Sequence, residues 1–157
     1  MKMKAIVTMA LLGSMVLPAG LQAAPQPAKY PCSLVLGAKP NMPVNAKGVA
    51  LAYTIKREFG GDRSSLSIHA QYLPSPASLG AYDQYEGFAQ VPGEISWRFL
   101  LLRVTPPNTD VPIWTGRIDD ISGPLERADV QVRLSHSGTD RLGPVVLEKN
   151  MSDCRPG

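Results

Sequence analysis

From Cys32 onward the chain alternates with a period of two, the spacing of strands with one face turned inward. Cys32, Leu34 and Leu36 alternate with Ser33 and Val35. Val49, Leu51, Tyr53 and Ile55 form one face of a second strand, with Ala50, Ala52, Thr54 and Lys56 on the other. Gly60-Gly61-Asp62 signals a hairpin. Beyond it, Leu66, Ile68, Ala70 and Tyr72 oppose Ser65, Ser67, His69 and Gln71. Ile95, Trp97, Phe99 and Leu101 mark a strand that is apolar on both faces near its middle, as in a central strand. A strand with Trp114 runs over Val111 to Asp119. Val130, Val132 and Leu134 form another, and Val145 to Lys149 the last. Pro74-Ser75-Pro76, Pro92-Gly93, Pro106-Pro107 and Gly123-Pro124 separate them.

About seven short strands at this spacing predict an all-β domain. The expected form is an antiparallel sandwich of immunoglobulin-like or related Greek-key type, with a small β-barrel as the alternative. The expected core is Val49, Leu51, Ile55, Leu66, Ile68, Trp97, Phe99, Leu101, Val130, Val132 and Leu134.

The start of the chain is read differently. Lys2 and Lys4 precede a mostly apolar run, Ala5 to Leu17. Pro18 and Gly20 then lead to Ala23, the small residue expected at a cut. This is the layout of a secretory signal over 1–23, and the run is too short to anchor a mature chain in a bilayer. A linker at 24–29 and a single domain at 30–157 complete the organisation. Export, to a periplasm or outside the cell, follows.

Removing the leader changes the charge. Two of the 16 basic residues go with it, against 13 acidic residues in the chain, so the formal +3 falls almost to neutral. No basic excess remains to neutralise phosphates, which argues against nucleic acid and anionic membrane as partners.

Cys32 and Cys154 are the 2 cysteines, one near each end of the exported part. In an oxidising compartment they are expected to pair. Closing a loop of about 120 residues stabilises by about 4–5 kcal/mol on chain-entropy grounds.

The sequence offers little chemistry. Neither His69 nor His136 has the neighbours of a metal site, and no cofactor motif is present. His136 clusters with Ser135, Ser137 and Asp140, but without the strand–turn–helix setting of a nucleophile elbow. Glu86 and Glu94 flank an aromatic segment, as a glycosidase pair would, with nothing to fix their separation. The segment Tyr82 to Gln90 lacks regular periodicity, with at most a short strand at Gly87 to Val91, yet carries large aromatics between proline breaks. Tyr82, Tyr85, Glu86 and Phe88 are therefore the candidate binding surface. The expected function is non-catalytic binding or envelope work through contact with a partner protein. The alternatives are a carbohydrate-binding module, with a glycan as partner, and a small hydrolase.

Overall fold

The computed structural model describes residues 30–156, with side chains through residue 154. The expected signal and linker lie outside the described residues. Among these residues nine strands occur: β1 (Cys32–Ala38), β2 (Lys47–Ile55), β3 (Arg63–Gln71), β4 (Gln84–Gln90), β5 (Ser96–Val104), β6 (Ile113–Ile121), β7 (Asp129–Ser135), β8 (Leu142–Asn150) and the two-residue β9 (Arg155–Pro156). Short 3₁₀ turns occupy Pro76–Leu79, Leu125–Arg127 and Met151–Asp153.

All strand pairings are antiparallel, and their order is β2-β3-β6-β5-β4-β7-β8-β1-β9 with β1 also paired to β2. Eight strands thus close into a ring. The all-β antiparallel expectation holds, and the barrel is the architecture adopted rather than the open-edged sandwich. Among the described residues each of β1 to β8 has a paired neighbour on both sides over part of its length, which limits the edge open to pairing with other chains. Greek-key connection survives inside the ring: β4, β5 and β6 follow one another, while β3 lies beside β6 and β7 beside β4.

Two strands turn the corners. Ser96 to Leu101 of β5 pairs with β4, and Leu102 to Val104 pairs with β6. Cys32 to Leu36 of β1 pairs with β2, whereas only Gly37 and Ala38 pair with β8. The barrel therefore has two walls, β1–β2–β3–β6–β5 and β5–β4–β7–β8–β1. At the β5–β6 corner the backbones come close. A Cβ on Gly116 would lie 2.3 Å from the Leu100 carbonyl oxygen, so only glycine fits there.

The seam between β8 and β1 is the thinnest closure, and it is fastened covalently. After β8 the chain makes the Met151–Asp153 turn and returns to β1 as β9, which pairs with Cys32 and Ser33. The Cys32–Cys154 disulfide joins the same edge, with Cα atoms 5.8 Å apart. The Lys39 N–H donates to the Val146 carbonyl at 2.9 Å on the seam's other part.

Between the walls lie Leu34, Leu36, Leu66, Ile68, Trp97, Leu101, Trp114, Val130, Val132, Leu134 and Leu147, all buried. The Tyr85 ring meets Trp114 edge to face at 4.9 Å, linking the two walls through the interior. On β2 the expected face is inverted. Val49 and Leu51 point outward, 44% and 41% exposed, while Ala50 and Ala52 are buried. Ile55 is half-buried near the strand's end. An eight-stranded interior is only just wide enough for side chains. Large residues on neighbouring strands fill it, and β2 supplies the small ones: a Cβ on Gly48 would meet Leu147 Cδ1 at 2.9 Å and Leu36 Cδ1 at 3.3 Å. Phe99 is half-buried, packed against the core rather than sealed in it.

Candidate binding face

Tyr82 to Gln90 is mostly the regular strand β4, between β5 and β7; the short strand expected at Gly87 to Val91 is there but starts earlier, at Gln84. Its aromatics divide. Tyr85 points inward and is fully buried, its hydroxyl donating to the Pro74 carbonyl at 3.0 Å. Burial without a charge partner pushes that phenol well above its ordinary pKa. Tyr85 therefore cannot present its ring to a partner.

Glu86 and Phe88 lie on the outer face but are only 7% and 6% exposed. Arg98 grips both Glu86 carboxylate oxygens, Nε at 2.7 Å and Nη2 at 2.9 Å. These bonds hold the carboxyl below the usual carboxylate range and hold the guanidinium above its own. Arg133 lies over Phe88, its guanidinium carbon 5.4 Å from the ring centroid, a cation–π cover. The ladder continues across the wall: Arg133 donates to Gln131, Gln131 to Glu148, and Lys39 to Glu148. This outer face is occupied by its own ion pairs and hydrogen bonds. Tyr82, at the strand's entrance, is half-buried and lines a hollow at one end of the barrel.

The outer face of the other wall is built in the opposite way. Strand register aligns Val35, Val49, His69, Thr115 and Leu102 in one cross-strand row over β1, β2, β3, β6 and β5. Val35 is 62% exposed and Leu102 61%. Leu51 adds to it from the next row, and Val104 from the row on the other side. Inside this apolar band, His69 Nδ1 and the Thr115 hydroxyl are 3.0 Å apart and bonded to one another. Two shallow depressions flank His69, of about 300 Å³ toward Lys47 and Tyr72 and about 390 Å³ toward Tyr53 and Arg117. Lys47 ends the row that runs through Gln71 and Ile113 to Val104, and it has no acidic partner among the described residues. Arg117 is paired with Asp119 at 2.7 Å.

This face was not legible as a site in the sequence. Its residues are spread over five strands, and Val49 and Leu51 read there as core. The signal that existed was the double apolarity of β2, where both faces carry hydrophobic residues.

Four of the residues considered for catalysis, His136, Ser137, Glu86 and Glu94, are engaged elsewhere. His136 Nδ1 accepts from the Gly138 N–H at 2.9 Å, and the Ser137 hydroxyl donates to Asp83 rather than to His136. Glu86 is held by Arg98, and Glu94 by Arg127 at 2.8 Å. Among the described residues no three His, Cys, Asp or Glu side chains gather as a metal site would require.

No solved structure matches the chain. A relative from Bacillus subtilis (strain 168), the SPbeta prophage-derived uncharacterized protein YoqH, is 49% identical over 125 residues, which cover 79% of this chain and 82% of the relative. The family model described by that same protein matches residues 28–155, the whole barrel including both cysteines. The chain therefore belongs to the YoqH family.

Proposed function

We propose that the protein is exported and acts without catalysis, binding a partner protein through the outer face of the β1–β2–β3–β6–β5 wall. The observation that carries this reading is the contrast between the two walls. One is covered by its own Glu86–Arg98 and Arg133–Phe88 pairs; the other leaves Val35, Val49, Leu51 and Leu102 open to water in one aligned band. Exposed apolar residues flanking His69 and Thr115 on the face of a closed barrel suit recognition by a complementary, largely apolar patch. Lys47 at the rim calls for a carboxylate on the partner. The partner is thus a protein surface with an apolar centre and an acidic margin.

Export is supported by the leader-like 1–23 and by a disulfide that fastens the barrel seam, a bond that persists in oxidising compartments. The family match begins at residue 28, past the expected cut. The engagement of His136, Ser137, Glu86 and Glu94 by other groups favours binding over hydrolysis.

Affinity capture tests the reading, using mature protein on host envelope and secreted fractions. A stoichiometric protein partner should be retained by the wild type and by Gln90→Asp on the opposite wall. The double variant Val49→Asp/Leu102→Asp, checked for its fold by circular dichroism, should lose it. A partner held equally by the double variant, or capture of glycan alone, overturns the proposal. Mass spectrometry of the native protein should find its N-terminus near Ala24.

A further inference from the structure

At one end of the barrel the β3–β4 connection meets the β7–β8 hairpin around a hollow of about 310 Å³. Its walls include Tyr82, His136, Thr139, Arg141, Leu142 and Gly143. The hollow lies apart from the apolar wall and involves none of its residues.

Both loops are tied down. The Asp83 carboxylate accepts from the Ser137 N–H at 2.8 Å and from the Ser137 hydroxyl, which joins one loop to the other. The Asp83 N–H donates to the Ser135 carbonyl at 3.2 Å, and the Thr139 N–H to the His136 carbonyl at 3.1 Å. From the neighbouring strand, Arg98 Nη1 donates to the Asp140 carbonyl at 2.8 Å. A hollow between fixed walls requires little ordering when a ligand enters.

The Tyr82 ring rests on the backbone of β8. A Cβ at position 143 would fall 2.5 Å from Tyr82 Cε1, so Gly143 makes room for the ring. Leu142 adds apolar surface beside it. The polar groups are mainly donors. His136 Nδ1 accepts from Gly138, so the neutral imidazole carries its proton on Nε2. Arg141 is exposed and has no acidic partner among the described residues, whereas Arg57, Arg63, Arg98, Arg117 and Arg127 each have one. The nearby Asp83 carboxylate is committed to Ser137.

A stacking ring, two nitrogen donors and a hydroxyl around a space near the lower limit of small-molecule sites define one kind of guest. We propose that this hollow binds a small carboxylated ring, with the ring on Tyr82 and the carboxylate on Arg141 and His136. An acidic sugar residue and an aromatic acid share that chemistry. This site is independent of the protein-binding wall, and either can fail without the other.

NMR titration of the mature domain with glucuronate, benzoate, glucose and inorganic phosphate decides the matter. Glucuronate or benzoate should saturate with a Kd of about 1 mM, as expected for so small a ligand. The shifts should be confined to residues 80–83 and 136–143. The tighter of the two identifies the source as sugar or aromatic acid. Glucose, lacking the carboxylate, should bind about tenfold or more weaker, and Arg141→Gln should weaken the acids equally. Gly143→Ala, which displaces Tyr82, should abolish the shifts while the rest of the spectrum stays native. No saturation by either acid, affinity unchanged in Arg141→Gln, or phosphate binding as tightly as the ring acids would overturn the proposal.

Discussion

Arg98 and Arg133 explain why Glu86 and Phe88, both outward-facing, are as buried as core residues. Each arginine lays its guanidinium over a β4 neighbour and hides it from water. Removing the Glu86 charge strips Arg98 of its bidentate partner, and Glu86→Gln should cost about 1–3 kcal/mol at neutral pH. Because the folded carboxyl is held below its ordinary range, its contribution is complete above the unfolded Glu pKa of about 4.3. It is lost as pH falls through the depressed folded value. Urea melts from pH 7 to pH 3 should therefore show wild type and Glu86→Gln converging only on the acid side. Gly116 poses a different constraint. Its missing Cβ leaves space for a backbone carbonyl, which cannot swing aside as a side chain can. Gly116→Ala should destabilise by about 1–3 kcal/mol despite the usual entropic benefit of replacing glycine, as thermal melts would show.

At the scale of elements, β2 and β4 are the two strands whose roles the sequence misassigned, for related reasons. On β2 both faces carry apolar residues, and on β4 Phe88 sits among Gln84, Glu86 and Gln90 on the outward face, so alternation alone could not say which side meets the core. On β2 the larger residues read as core, yet the barrel interior accepts Ala50 and Ala52 and leaves Val49 and Leu51 outside. Ala50→Leu should then overpack the interior and cost about 1–3 kcal/mol. Leu51→Ala should cost less than about 1 kcal/mol. Chemical denaturation of the pair tests the inverted face directly, and the opposite ranking would contradict it. On β4 the aromatic run suggested a loop because Glu86 and Phe88 are covered by residues 12 and 45 positions away. No local pattern carries such distant cover. Of the four residues expected to form a binding surface, Tyr82 lines a hollow, while Tyr85, Glu86 and Phe88 are buried.

For the whole molecule, closure is the governing fact. The β1–β8 seam has two register pairs, and β9 with the Cys32–Cys154 bond secures the rest of that edge. Cys32→Ser/Cys154→Ser should lower stability by about 2–5 kcal/mol, read from denaturant midpoints, while the core holds the barrel together. Hydrogen exchange in this variant should quicken first along β1, β8 and the tail. The disulfide was legible in the sequence because two cysteines at opposite ends of one domain leave a single intramolecular pairing. Most strands were legible too, since period-two alternation is a local consequence of the pleat. Buried Leu66, Ile68, Trp97, Leu101, Val130, Val132 and Leu134 followed from it. Tertiary structure alone decided whether the sheet closed, because closure depends on how β1 and β5 divide their pairing between two neighbours. It alone decided which face of β2 met the core, because that turns on the volume left by Leu36 and Leu147. It also assembled the row from Val35 to Leu102, whose members are neighbours only through register across five strands.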